Sequence, residues 1–562
     1  MNSLLESNMF SFTTLAICFC LAVGCLFVYW TVILPRYNPL RTIPGPPLHG
    51  IYNVAHMSMV TNPALSPRAH AQFVQEFGRN VHIRGPFPWD DRLLTLDPLA
   101  ISHVLKNTSI YQKPWQTRAM ISTMIGTGIL FAEGDAHKRF RKLGTAAFTP
   151  QHIHVSKAVI FQKALNVRRR WLSLLKGGQE ERRLDVCDWI CRATFDVIGK
   201  TGFDYEFNAV DGSEDELYLA YNRMFEVGVT QHSVNLWGAL ILQFPFLSYI
   251  YTDERIRTIA ACRATIERVA GGLLREKKRL IVDSTKENKL FHGKDLLTLM
   301  LQSNLSPDIP PAQRHSDEEI LNNISTYLFA GTDTTGMGLT WTLLLLAMYP
   351  DVQTRLRNEL LSICPSISLE TLSAEDIQSL FDNSIANLQY LDNVIKESLR
   401  LIPPIHSTIR CATQVDIIPT SSPMKFNDGG RIIESRKDIK VLKGTAIHIP
   451  IEGLNLDKEY WGHDAWNFNP DRWDDLPETV TSLPSPYAGI LSFSAGPRFC
   501  LGQKFAIAEM KIVLFILVSH FVFRTTGEKL NKSNVVLTKP YLSDMSEGAQ
   551  LPLFVSVYDN KS

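Results

Sequence analysis

Hydrophobic positions along this chain fall into three regimes. The first is a solid apolar run: the 23 positions from Phe12 to Leu34 hold no charged residue. Coiled as a helix they span about 34 Å, enough for a bilayer core of roughly 30 Å. Residues 50 to 105 then mix short alternating runs, NVHIRG and RLLTLD, with one helical patch near Ala69 to Phe77. From about 115 to 400 the apolar spacing is mainly that of helices. After 405 it shortens into strand-like pieces: DIIPT, RIIES, IKVLKG and AIHIPIEG. A helical stretch from Cys500 to Val518 and a closing strand, LPLFVSVY, complete the chain. The pattern predicts a mostly α protein with a smaller β region, an α+β arrangement.

The clearest helix opens on Ser316-Asp317-Glu318-Glu319, a capping box, and runs to Tyr349 before Pro350 stops it. It spans roughly 50 Å and must cross a whole domain. Its middle reads AGTDTTGMG, Ala330 to Gly338. Each glycine there costs about 1 kcal/mol relative to alanine, and the threonines can divert hydrogen bonds from the ladder. Two explanations stand: a bulge where something fits against the backbone, or close packing on a neighbouring helix. Asp333, a carboxylate amid apolar residues, favours the bulge. A second helix, Leu388 to Leu401, is ended by Pro403-Pro404 and sets Glu397 and Arg400 three apart on one face. Read alone, these two are a solvated surface pair of little worth.

Composition narrows the function. A net charge of +1 argues against a polyanion partner, so no nucleic acid is expected. The nine cysteines are an odd count without a C-x-x-C pair, which disfavours both a disulfide framework and a zinc ribbon. Cys187 and Cys191 read as core packing on one helix face. Only Glu6 is charged ahead of the apolar run, there is no basic leader, and Arg36 and Arg41 follow it. Together these predict an uncleaved anchor with the rest of the chain in the cytosol. Pro44-Gly45-Pro46-Pro47 reads as a stiff elbow after it.

The chemistry concentrates in FSAGPRFCLG, Phe493 to Gly502, with Cys500 among glycines and an arginine. It fits F-x-x-G-x-R-x-C-x-G at every specified position. Glu397 to Arg400 supplies E-x-x-R upstream, and AGTDTT lies upstream of that. In this order the three motifs are highly specific. The chain resembles the cytochrome P450 family of haem-thiolate monooxygenases, and its fungal microsomal members in particular.

The resemblance implies that family's fold, with the long helix crossing over a haem b whose iron Cys500 ligates as a thiolate. It makes Phe493 an apolar shield on the sulfur side, and Gly496 and Gly502 the room for the porphyrin. It makes Arg498 the partner of a propionate. His137, where the family usually has tryptophan, Arg141 and Arg410 would face the propionates as well. Glu397 and Arg400 become a buried pair joined by Arg472, and Asp333 and Thr334 become the proton relay. Lys138, Arg139 and Lys142 read either as a docking face for an acidic electron donor or as a solvated face.

The implied organisation is a lumenal segment 1–11, a membrane span 12–34, a proline-rich hinge 35–50 and a catalytic domain 51–562. The implied setting is the endoplasmic reticulum membrane. The implied partners are O2, NADPH-dependent cytochrome P450 reductase or cytochrome b5 as donor, the lipid bilayer, and a lipophilic substrate of terpenoid or other secondary-metabolite type. Substrate contacts are expected from Tyr111–Leu130, 217–247, Phe329–Thr335, Ile405–Ile409 and Tyr541–Glu547. His406 there would either orient a polar group or be a structural histidine. An O2-independent isomerase or dehydratase and a non-catalytic haem sensor are disfavoured by the intact Asp333-Thr334.

Overall fold

Helices dominate, as the periodicity predicts, and the strands gather where the alternating runs lie. The structure, a computed structural model, describes residues 2–559 apart from 48–53, 63, 86, 88, 176–180, 213–214, 231–253, 287–292, 307–308, 311–313, 364–367, 429–430, 535–536 and 544–546. Among the described residues the strands are β1 (Asn80–Arg84), β2 (Asp91–Thr95), β3 (Tyr111–Gln112), β4 (Glu181–Asp185), β5 (Ser407–Ala412) and β6 (Asp416–Asp428). They continue as β7 (Arg431–Val441), β8 (Ala446–Pro450), β9 (Phe521–Thr525), β10 (Asn531–Asn534), β11 (Thr538–Tyr541) and β12 (Pro552–Val557).

The chain packs as two units, each built from separated segments. The first comprises residues 1–112 and 407–450. Its sheet has the order β1-β2-β8-β5-β3, and β6 pairs with β7 as a separate hairpin. Within the sheet only β2 and β8 run parallel. In β1 the alternation is direct: Val81 and Ile83 are buried while His82 and Arg84 keep partial access to solvent.

The apolar N-terminal run forms a helix, Asn2–Val28, that continues through a π-helical turn, Tyr29–Ile33, to Arg36. The segment Ile17–Thr42 is long and apolar enough to cross a membrane, by length and composition. The stiff elbow expected next, and the turn before it, are tied to the first unit. Leu40 and Ile43 are buried, Arg41 and Asn38 bind Asp91, and the N–H of His82 donates to the Pro44 carbonyl.

The second unit, residues 113–406 and 451–562, is organised by the central helix Asp317–Met348. Its capping box forms as predicted: the Glu319 N–H donates to Ser316 Oγ, and the Ser316 N–H to Glu319 Oε2. The bulge does not form. The helix is α-helical throughout, and Thr334 and Thr342 return their hydroxyls to the carbonyls of Ala330 and Gly338 within the ladder. The glycines serve close packing instead. A Cβ on Gly331 would sit 2.7 Å from Ile198, and one on Gly336 would sit 3.2 Å from Thr194. Both neighbours belong to the helix Val186–Phe203, on which Cys187 is buried as expected. Strands β4, β12 and β9 form one small sheet of this unit, and β10 with β11 another.

Behind Cys500 runs the helix Gln503–His520, buried along nearly its whole length. Glu509 is fully buried in it, and neither carboxylate oxygen has a hydrogen-bond partner. Burial raises its pKa well above the usual glutamate value, so the folded protein holds it neutral. The unfolded chain releases that proton above its ordinary pKa, so stability falls as pH rises through that range. Glu509→Gln should remove this slope. Its melting temperature relative to the parent should increase steadily from pH 5 to pH 8, and a constant difference would show that Glu509 does not change its proton on unfolding.

Candidate functional site

Cys500 is positioned by its own loop. A 3-10 turn, Leu491–Phe493, leads to Ser494, and a second, Gly496–Arg498, begins with Gly496 at φ +68°. A left-handed residue at that point asks for glycine. The Cys500 N–H donates to the Phe493 carbonyl at 2.9 Å, which closes the loop on itself. The Phe493 ring is steadied edge-on by Tyr487 at 5.1 Å. Gly502 then caps the helix Gln503–His520.

The side chain of Cys500 has open surface although it lies deep in the protein, so it faces an internal space. Burial pushes its thiol up. The N–H of Gly502 and the Arg141 charge pull the other way. A thiolate here therefore needs a further cation beside the sulfur. Among the described residues no three His, Cys, Asp or Glu side chains cluster to hold a metal ion. A metal at Cys500 would rest on one protein ligand and bring its others with it.

The neighbouring charges match such a group. The Arg498 side chain is buried, lies against Glu133 as an ion pair through Nη2, and has no hydrogen-bond partner at Nε or Nη1. Burial, then the Arg118 charge, lowers its pKa to about 10. Glu133 accepts from the Lys113 N–H at 3.0 Å and pairs with its ammonium. Arg118 donates to the Phe131 carbonyl and lies 4.4 Å from the ring centroid of Phe131. Arg141 donates to the carbonyl of Phe499. Lys113, Arg118, Arg141 and Arg498 thus outnumber Glu133, and a buried excess of positive charge asks for further anions. His137, on the helix Gly134–Ala147, is buried beside them. Burial, then Lys113 and Arg141, push it down to about 4, so it is neutral. Two carboxylates on the rim of a planar metal carrier fit this set, and the residues present fit haem.

Sequence reasoning had Arg498, Arg141 and His137 but missed Lys113, Arg118 and Glu133, which no motif marks. Arg410 lies in the first unit, where it donates to Thr408 Oγ1 and the Ile409 carbonyl, and burial lowers it to about 10. Of the basic residues on the Gly134–Ala147 helix, Lys138 pairs with Asp135 and Arg139 with Glu319.

The pair Glu397–Arg400 is not on the surface. Both side chains are fully buried on the helix Gln389–Leu401, joined by two bonds of 2.8 Å. Glu397 also accepts from the Asn469 N–H, Trp473 Nε1 and Arg472 Nε. Arg400 spends its other donors on the carbonyls of Asn455 and Ala465. Arg472 grips Asp464 with two bonds of 2.7 Å, and that contact leads the forces holding Asp464 down to about 2. Two arginines face two carboxylates, which makes the cluster neutral as a whole. Asp464 carried no sequence signal; it lies in an irregular turn.

On the central helix, Thr334 is half-buried and donates to the Ala330 carbonyl at 2.6 Å. Asp333 is buried and does not open to solvent directly. Tyr221 donates to it at 3.4 Å, and Lys539 on β11 lies 3.6 Å away. Burial works against the Lys539 charge, yet Asp333, with Cys191, Cys187 and Tyr541, holds its pKa above the ordinary lysine value. Tyr221 lies in the region 217–247 expected to contact substrate; its bond to Asp333, and Lys539, were not foreseen. Of the expected substrate regions, 231–247 and 544–546 lie outside the described residues.

Comparison with known proteins finds relatives over nearly the whole chain. The sequence profile of the family described as Cytochrome P450 matches residues 46–543. Cytochrome P450 monooxygenase 128 of Postia placenta is 34% identical over 95% of this chain and 97% of its own. Cytochrome P450 monooxygenase claP of Ampulloclitocybe clavipes is 30% identical over 83% of this chain and 84% of its own. Ganoderic acid synthetase CYP5150L8 of Ganoderma lucidum is 28% identical over 95% and 97%.

Breaking a buried pair by neutralising one partner leaves the other charge stranded. Glu397→Gln should therefore cost about 3–5 kcal/mol in urea unfolding. Arg472→Lys keeps a charge but loses the fork onto Asp464, and should cost less. Equal, small losses would place the network outside the stabilising core.

Proposed function

The chain belongs to the cytochrome P450 family of haem-thiolate monooxygenases, and from that premise we propose that it is a membrane-anchored enzyme oxidising a lipophilic small molecule of terpenoid or other secondary-metabolite type. As in the family, O2, a redox partner and a small-molecule substrate are implied. We assign the redox partner as NADPH-dependent cytochrome P450 reductase, and the setting as the endoplasmic reticulum membrane with the catalytic part in the cytosol. The uncharged run Phe12–Leu34 followed by Arg36 and Arg41 supports the anchor and its direction. The relative named as a ganoderic acid synthetase supports small-molecule oxidation.

The observation that carries the site is a deep thiol at a helix start beside Arg141, in a buried set of cations that Glu133 alone does not balance. Haem, when bound, supplies O2 activation and transfer of one oxygen atom to the substrate. The protein's part is positional and electrostatic. Cys500 gives the thiolate ligand, and the Gly502 N–H donates toward its sulfur and tempers its basicity. Arg498 and Arg141 hold the propionates, with neutral His137 as a further hydrogen-bonding group. Glu397, Arg400 and Arg472 hold the loop in place without touching the reaction. Thr334 Oγ1 keeps its lone pairs free while donating to Ala330, so it can accept and position a water. Asp333 carries protons toward that water, and the Lys539 ammonium and the Tyr221 hydroxyl hold its carboxylate in place.

Expression of the full chain in membranes with a reductase, followed by untargeted metabolite profiling, tests the reading. The parent should give an oxygenated product that Cys500→Ser does not, and Cys500→Ser should lose the thiolate-type ferrous–CO band. A product formed equally by both would remove Cys500 from the reaction. Lys539→Met should slow turnover roughly 10- to 100-fold and raise the solvent isotope effect, with haem content unchanged. Unaltered turnover with unaltered isotope effect would sink the role of Lys539 in holding Asp333.

A further inference from the structure

A group of nucleophilic and titratable side chains that the haem site does not use lies against the central helix, within the second unit. Cys187 and Cys191 sit four apart on the helix Val186–Phe203, and both are free thiols. Cys187 is buried, and its S–H donates to Cys191. Cys191 is half-buried, and its sulfur rests on Gly336, where a Cβ would meet it at 3.4 Å. Gly336 follows Asp333 on the same face, one turn along. The Lys539 charge acts on both sulfurs, and Cys191 acts on Tyr221. The thiol pair therefore shares its surroundings with the two residues that hold Asp333.

We propose that Cys191 is a site of reversible oxidation, carried by hydrogen peroxide to a sulfenic acid that Cys187 and Lys539 hold in place. Peroxide is the two-electron reduction product of the O2 that this family uses. The Cys191 sulfur attacks one peroxide oxygen, and the S–O bond forms as the O–O bond breaks. The departing hydroxide takes the thiol proton and leaves as water. Sulfur gives up two electrons and the peroxide gains them.

The order within the pair selects Cys191. Its hydrogen bond to Cys191, then burial, push the Cys187 thiol well up, so Cys187 stays a protonated donor and does not compete as nucleophile. A sulfenic acid usually condenses with a nearby thiol. Here the helix prevents it. Cβ atoms four apart on an α-helix are about 5–6 Å from each other, whereas a disulfide needs about 3.5–4.5 Å. Val186–Phe203 is α-helical throughout. The Cys187 S–H is left to donate to the new oxygen, and Lys539, which keeps its charge against burial with Asp333 beside it, supplies a cation. The added oxygen is a further acceptor for that ammonium and draws it from Asp333. Two equivalents of a thiol reductant return Cys191 to the thiol, releasing water and the reductant's disulfide. The effect on turnover rests on the role proposed above for Asp333; the oxidation itself does not.

Purified full-length holoenzyme is treated briefly with hydrogen peroxide, then with dimedone, which captures sulfenic acids, and mapped by mass spectrometry. Haem content is measured before and after. The label should fall on Cys191 far more than on Cys411, which is half-buried too but spends its S–H on the Ala412 carbonyl at 3.9 Å. Cys187→Ala should lower the yield at Cys191. Turnover per haem of the treated parent should drop roughly 3- to 10-fold and return with dithiothreitol. Cys191→Ser should show no such reversible drop. An unlabelled Cys191, or a Cys187–Cys191 disulfide in its place, overturns the proposal. Labelling with turnover unchanged supports the oxidation site and overturns its coupling to Asp333; Lys539→Met then shows whether the Asp333 reading falls with it.

Discussion

A single carboxylate, Glu397, ties the haem loop to the helical frame. It is fully buried and accepts five hydrogen bonds, from Arg400, Asn469, Arg472 and Trp473. A buried anion is tolerable only when its lone pairs are filled, and here they are. Arg400 passes the constraint on by holding the Asn455 carbonyl. The Asn455 side chain in turn accepts from the Leu491 N–H and donates to Ser492 Oγ, and Ser492 donates to the Leu399 carbonyl. The next residue, Phe493, receives the N–H of Cys500. The sulfur's position thus depends, bond by bond, on an ion pair that does no chemistry.

At the sulfur itself two costs are left open by the protein. Burial disfavours the thiolate, and the Lys113, Arg118, Arg141 and Arg498 charges exceed what Glu133 can balance. A group with a cationic centre and an anionic rim relieves both together. The site is shaped electrostatically for haem before any contact with the ring is considered.

The central helix shows how one sequence feature can admit two physical readings. Its glycines looked like a weakened ladder, but Gly331 and Gly336 bring the Val186–Phe203 helix close, and the ladder stays α-helical. That packing has a consequence for the acid beside them. Asp333 is buried against Tyr221 and Lys539 instead of facing solvent.

Local chemistry was legible in the sequence. The capping box at Ser316, the stop before Pro350, the strands after 405 and the mostly helical class all follow from short-range periodicity and capping. The Cys500 loop was readable because glycine, arginine and cysteine at fixed spacing have few other uses. Burial and partnership were decided only by the fold. Glu397 and Arg400 read as a surface pair until Asn455, Asn469 and Trp473 arrive from distant positions to enclose them. Lys113, Arg118 and Lys539 carried no motif, because their roles arise from contacts across tens to hundreds of residues. Sequence determines what each segment can form; only tertiary packing decides which charges lose their water, and therefore which must find a partner.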